Sequence, residues 1–218
     1  FNMVDSLGWR SKFGVIAPST NTSVQPEFED MRPRGVTNHF SRVWIPDDPV
    51  ESDEDFNKLM ENIRLEMDNA VHRVLTCHPD YIVMGMSSET FWGGLQTSIE
   101  LKARMEKLSG LGIAMGSDAC QAALKCYGDI KRIAVITPYW PVGDKNVLRF
   151  FTECGFEVVR LKGLKCNSPV QIAHVSEDEL AEAIMEINLT AVFMDAEVRT
   201  WFDRKQLEQM STVGSTPG

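Results

Sequence analysis

Short, continuously apolar runs alternate along this chain with longer stretches in which apolar positions recur every three or four residues. Residues 13–17 form the first run, closed by Pro18-Ser19-Thr20-Asn21-Thr22. Residues 39–45, less uniformly apolar, read as a second extended run, closed by Pro46-Asp47-Asp48-Pro49. Ser52 or Asp53 can then cap a helix whose apolar face is Phe56, Leu59, Met60, Ile63, Met67, Ala70, Val71 and Val74. Tyr81-Ile82-Val83-Met84 reads as a buried strand, followed by a glycine-bearing loop and an amphipathic helix over 95–108. The alternation continues with a strand at 113–115, a helix at 119–126, a strand at 132–136, a helix at 144–154 and a strand at 157–160. A helix at 177–187 and a last strand at 191–193 complete the pattern.

Strands of this length separated by helices build βαβ units around a mainly parallel sheet, and helices on both faces explain why the strands are continuously apolar. The fold class expected is therefore α/β. The runs Gly14-Val15-Ile16-Ala17-Pro18 and Ile133-Ala134-Val135-Ile136-Thr137-Pro138 echo one another, each passing through a Pro-containing loop into a helix that carries a phenylalanine (Phe28, Phe150). The echo predicts two pseudo-symmetric Rossmann-like lobes, residues 10–117 and 118–218, with a cleft between their strand C-termini as the active site. The second half is short of a strand and a helix, and the chain opens on Phe1, so further residues are expected at both places.

Composition narrows the function classes. The chain has 218 residues, a net charge of 22 − 31 = −9 and 43% hydrophobic residues, too apolar for a disordered acidic tail. No apolar run is long enough to span a membrane. An excess of carboxylates without a Lys/Arg cluster argues against a nucleic-acid partner, though not against small anions, which respond to the local site. The cysteines Cys77, Cys120, Cys126, Cys154 and Cys166 form no CxxC pair and are odd in number. That predicts free thiols in a reducing cytoplasm. His39, His72, His78 and His174 show no metal-binding spacing, so no metal site is expected, and residues 1–9 do not read as a signal peptide.

Three loops at strand C-termini concentrate polar groups: residues 18–22, 85–90 and 137–140. In open α/β sheets that edge binds ligands, and hydroxyls, amides and free N–H groups near helix starts suit a carboxylate. The same Ser, Thr and Asn residues also serve as ordinary helix caps and turn formers. Three such loops on one edge favour a site.

These segments also carry a resemblance. Residues 14–22 with Pro26-Glu27-Phe28 resemble the opening of maleate cis–trans isomerases. Val83-Met84-Gly85-Met86-Ser87-Ser88-Glu89-Thr90-Phe91-Trp92-Gly93-Gly94 is similar to the first active-site loop of maleate isomerases and arylmalonate decarboxylases. Ile136-Thr137-Pro138-Tyr139 matches their tyrosine loop, and Gly155-Phe156-Glu157-Val158 with Asn167 the strand and loop that follow. Both belong to the Asp/Glu racemase superfamily, in a branch that includes ectoine-utilisation proteins. The resemblance runs from about Gly14 to Ile187.

It implies two lobes around a small carboxylate or dicarboxylate, with no cofactor and commonly a homodimer. It places Asn21 and Asn167 on substrate carboxylates, Ser87 and Ser88 in an anion hole, and Tyr139 beside them. Racemases of the superfamily use one thiolate on each substrate face, maleate isomerases use a cysteine as nucleophile, and decarboxylases keep only the second cysteine. Here Met86 occupies the first cysteine position, and a thioether can neither move a proton nor attack an alkene. After residues 191–193, Ala196 stands where the second thiol is expected, beside a fitting Arg199-Thr200 pair. Two carboxylates could fill the gap: Glu89 as a general base, or else a helix cap, and Asp195 from the opposite lobe, or else a solvated loop residue. Cys166 is the one thiol placed near the cleft, and packing is the alternative for it.

The function expected is a cofactor-independent isomerase of the maleate isomerase type, with Glu89, Tyr139 and Ser88 catalytic and Asn21, Met86, Ser87 and Asn167 binding substrate. A decarboxylase, a hydrolase using a Glu89-activated water, and a carboxylate-binding protein without chemistry remain open beside it.

Overall fold

Residue Gly14 to Ala17, fully apolar and fully buried, form the middle of strand β1 (Ser11–Pro18) in a computed structural model of the chain, which describes residues 5–194 and side chains as far as 188. Strand β2 (Val36–Val43) pairs in parallel on one side of β1, and β3 (Tyr81–Met84) on the other, with β4 (Ile113–Ala114) beyond β3. The order is thus β2-β1-β3-β4. A second sheet pairs β5 (Arg132–Thr137) in parallel with β6 (Glu157–Gly163), with a bulge between Ile133 and Ala134. All pairings are parallel, as the continuous apolar runs predict. Both sheets lie in the first of two compact units, residues 1–175 and 176–218.

Helix α1 (Val24–Asp30) links β1 to β2, and α2 (Asp53–Leu75) links β2 to β3. Ser52 caps α2 by accepting from the Asp55 N–H, and the eight apolar positions read from the sequence are all buried. They pack on Ile16, Val43, Ile82, Met84 and Ile113 of the sheet. Phe56, Met60 and Met67 are fully buried or nearly so; each contributes about 1.5–3 kcal/mol of burial free energy. After β3 come a single turn, α3 (Ser88–Phe91), and helix α4 (Gly94–Ser109). Helices α5 (Gly116–Cys126) and α6 (Pro141–Glu153) flank β5, and α7 (Pro169–Ala173) follows β6. Phe150 and Phe151 of α6 meet Phe91 at centroid distances of 5.0 and 5.7 Å, so the second sheet's helix closes on the α3 turn of the first.

Two boundaries differ from the sequence reading in an instructive way. Helices α5 and α6 begin three residues before the expected 119 and 144, because Gly116-Ser117-Asp118 and Pro141-Val142-Gly143 supply first turns that carry no apolar period. The strand expected at 191–193 is not one. In the second unit, Ser176 and Glu179 bond reciprocally as a capping box, and α8 runs from Glu177 to Met194 without a break. No Gly or Pro separates Ile187 from Ala191, and a short apolar run cannot by itself distinguish strand from helix. Asp195, Ala196, Arg199 and Thr200 lie outside the described residues. No helix among the described residues is long and apolar enough to cross a membrane.

Candidate active site

In the order β2-β1-β3-β4 the chain leaves β1 in one direction and returns to its other side, so a crevice opens beyond the carboxyl ends of β1 and β3. A cavity of about 320 Å³ lies there. Its polar rim comes from four strand ends: Thr20 and Asn21 after β1, Ser87 and Ser88 after β3, Gly116 after β4, and Tyr139 after β5. Met86 is part of the same wall. Apolar lining comes from Val24 and Phe28 of α1, Phe56, Leu59 and Ile63 of α2, and Ile172 of α7.

Each polar group is held by its own local chemistry. Asn21 Oδ1 accepts from the N–H groups of Ser23 at 3.0 Å and Val24 at 2.8 Å, so this residue does cap the α1 turn. The cap fixes the amide plane and leaves its Nδ2 donors uncommitted at the cavity wall. Arg42 Nη1 donates to the carbonyls of Pro18 and Asn21, at 3.1 and 2.9 Å, and ties this loop to β2. Gly85 lets the next loop pass close to β1: its N–H donates to the Ile16 carbonyl at 2.7 Å, and a Cβ there would stand 3.1 Å from that oxygen. The following N–H groups of Met86, Ser87 and Ser88 take no hydrogen-bond partner among the described residues. Thr90 Oγ1 donates to the Ser87 carbonyl at 2.7 Å and accepts from the Ser117 N–H at 3.3 Å, and Ser117 pairs with buried Ser98, so a buried polar chain anchors the loop from below.

The Ser87 and Tyr139 hydroxyls are 2.6 Å apart, which joins the loop after β3 to the loop after β5. Tyr139 is 4% exposed, and burial pushes its phenol up to about 12, against a smaller opposite pull from Ser87. It is therefore protonated, and a donor, at neutral pH. Its backbone N–H donates to Thr137 Oγ1, whose own proton goes to Asp144 on α6. Burial raises the Asp144 carboxyl, with the Thr137 bond opposing. Among the described residues the cavity wall carries no charged side chain, and Tyr139 is its one titratable group. Hydroxyls, an amide and unpaired N–H groups in an apolar hollow stabilise an oxyanion more strongly than they would in water.

Five of the sequence-derived candidates thus share one cavity: Asn21, Met86, Ser87, Ser88 and Tyr139. Two do not line it. Glu89 points to α2, where its Oε1 accepts from Arg64 Nε at 2.8 Å, while the Arg64 guanidinium stands 5.2 Å over the Trp92 ring. Burial lifts the Glu89 carboxyl above the usual range, with the Arg64 hydrogen bond and charge opposing. Asn167 is exposed; its carbonyl accepts from the Val50 N–H at 2.7 Å, and its neighbour Pro169 supplies cavity wall instead. Cys166 is buried, its carbonyl accepts from Trp140 Nε1 and its N–H donates to the Pro138 carbonyl, and it is not among the residues that line the cavity. Gly116 was missed, although the rule that picked the other loops applies equally to the end of β4. The apolar wall could not be separated from ordinary core by periodicity alone. Among the described residues no group of three or more His, Cys, Asp or Glu is arranged to hold a metal ion.

Comparison with known proteins gives one family and one fold. The family model described as arylmalonate decarboxylase matches residues 14–197. Among solved structures, the maleate cis–trans isomerase of Nocardia farcinica bound to TRIS superposes with a TM-score of 0.70 at 16% identity, over 81% of this chain and 72% of that one. The maleate isomerase of Pseudomonas putida S16 gives 0.68 at 19%, over 80% and 72%. Unliganded arylmalonate decarboxylase gives 0.62 at 16%, over 84% and 73%. At such identities the likeness speaks for the fold alone. No curated protein sequence matches the chain.

Proposed function

Because the chain belongs to the arylmalonate decarboxylase family, we propose that it is a cofactor-independent enzyme that decarboxylates a malonate-type acid bearing an apolar substituent. One observation carries this reading: the neutral donors Asn21, Ser87, Ser88 and Tyr139 line a single hollow together with a wall of apolar side chains. One carboxylate sits on the donors, and the apolar wall takes the substituent and desolvates the second carboxylate. Desolvation favours loss of that charge as neutral carbon dioxide. The C–C bond breaks, its electron pair stays on the substrate as an enediolate held by Ser87 and the N–H groups of the loop, and a proton from the Tyr139 hydroxyl then adds to the α-carbon, the tyrosinate regaining a proton from water. Tyr139, protonated and on the wall, is the proton source among the described residues.

Decarboxylation fits this wall better than the isomerisation expected from the sequence. Met86 stands where the resemblance puts the first thiol, and it offers neither proton nor nucleophile. Isomerisation of maleate is the second reading, supported by the shared fold with maleate isomerases, one of which carries a covalently bound succinylcysteine intermediate. It requires a thiol facing the cavity. Hydrolysis by a Glu89-activated water is the weakest, since Glu89 is turned to Arg64. Incubation with phenylmalonate and with maleate in deuterated buffer, followed by proton NMR, separates these readings. Phenylacetate carrying one deuterium at its α-carbon is expected; fumarate instead would establish isomerisation, and no change in either acid would leave a binding protein.

A further inference from the structure

The α3 turn that presents Ser87 and Ser88 is only four residues long, and an isolated turn cannot hold itself in place. On one side it is fixed by Phe91, packed between Phe150 and Phe151. On the other side stands Glu89, a buried carboxylate whose side chain is 10% exposed, paired through Oε1 with Arg64 Nε. Burying that carboxylate is costly, and a partner that is itself 37% exposed repays little of the cost in stability alone. The pair also sits in a closed circuit of contacts. Arg64 covers Trp92, Trp92 stacks on Phe56 at 6.1 Å and 22°, and Phe56 tilts against Tyr139 at 5.5 Å. Tyr139 meets Ser87 at 2.6 Å, and Ser87 leads back through Ser88 to Glu89. Helix α2 therefore supplies cavity wall at Phe56 and Ile63 and, one residue on at Arg64, a grip on the loop opposite. Of the neighbouring charges, Arg104 is held by Asp68 at 2.6 Å, which leaves Arg64 as the partner of Glu89.

We propose that Arg64 and Glu89, clasped over Trp92, are positioning residues that set Ser87 and Ser88 at the cavity and touch no substrate themselves. The proposal rests on the reading of that cavity as a carboxylate site, and deepens it. The contact is a single one, Nε to Oε1, with Arg64 Nη2 and Glu89 Oε2 buried and unpartnered among the described residues, and the planar guanidinium over the Trp92 ring sets its orientation, which a lysine would not reproduce.

The test compares Glu89→Gln, Glu89→Leu, Arg64→Met and Arg64→Lys in the whole protein, each checked for folding by circular dichroism. Amide exchange is read over residues 85–92, and turnover is read with phenylmalonate. Glu89→Leu and Arg64→Met are expected to speed exchange in that segment and to lower kcat/KM on the order of 10²-fold, through KM and kcat together, because the displaced loop holds both the bound carboxylate and the enediolate. Glu89→Gln, which still offers an oxygen to Arg64 Nε, should rescue most of both effects, and Arg64→Lys should not. In a Ser87→Ala background Glu89→Leu should add little. A fall in kcat alone with unchanged exchange would overturn the proposal by making Glu89 a chemical group, and unchanged exchange with unchanged turnover would overturn it outright. If Ser87→Ala itself leaves turnover untouched, the carboxylate reading fails, while amide exchange still decides whether the pair holds the turn.

Discussion

Tyr139 carries two separable properties, a hydroxyl aimed at Ser87 and a phenol held well above its ordinary value by burial. Between pH 10 and about 12 the unfolded chain sheds a proton that the folded chain keeps. Stability from this residue is complete below pH 10 and falls as the pH rises through that window. Tyr139→Phe should therefore flatten the alkaline fall of unfolding free energy by up to roughly 2–3 kcal/mol, measured by denaturant titration from pH 9 to 12. At pH 7 the same substitution removes one donor from the hollow and should lower turnover on the order of 10²-fold. Asn21 gives a cleaner separation. Asn21→Asp keeps the oxygen that caps α1 but replaces the Nδ2 donors with a second anionic oxygen. Thermal stability should hold within about 1 kcal/mol while carboxylate affinity collapses; equal affinity would show that Asn21 is only a cap. At this scale the strand-end positions of Asn21, Ser87, Ser88 and Tyr139 are visible in the apolar runs that precede them, and those positions bring the four to one cavity. The sequence left the role of Glu89 open, since its direction depends on Arg64, 25 residues earlier and on another helix.

Among the elements, α2 and α6 do more than cover sheets. Asp53, in the first turn of α2, accepts from the Val142 N–H at 2.8 Å in the first turn of α6, so one helix caps another. Where α6 leaves the Tyr139 loop, Gly143 packs so closely that a Cβ would stand 2.8 Å from Tyr139 Cβ and 3.0 Å from Phe56 Cε1. Gly143→Ala should consequently push Tyr139 out of register with Ser87 and reduce activity at least tenfold while the fold persists, because a shift well under 1 Å is enough to spoil a positioned donor. Unchanged turnover in the variant would show that Tyr139 placement is not critical. Element type was legible wherever length and period agreed, as in α2, whose cap and buried face match the reading residue for residue. It failed at 191–193 because an apolar run of three residues has no period, and the capping box that starts α8 lies far upstream.

For the molecule as a whole, the parallel order β2-β1-β3-β4 decides where chemistry can occur. The crevice it creates beyond β1 and β3 is lined in part by Tyr139 from the loop after β5, and the Phe91–Phe150–Phe151 cluster joins the α3 turn to α6. The family and the α/β class were readable from the loop motifs and the alternation. The apolar wall was not, because Phe56, Leu59 and Ile63 belong at once to the helical stripe of α2 and to the cavity, and only the packed structure distinguishes those uses. That wall is what shifts the proposed reaction from isomerisation to decarboxylation.

The central claim is that neutral donors from separate strand ends jointly grip a carboxylate. It is tested most directly by calorimetric titration of phenylacetate, the unreactive product of the proposed reaction, into the intact protein and into the Ser87→Ala/Tyr139→Phe double variant. One molecule should bind per chain, and the double variant should bind at least tenfold more weakly, a loss of about 1.4 kcal/mol or more. Equal affinity in the two proteins would contradict the account.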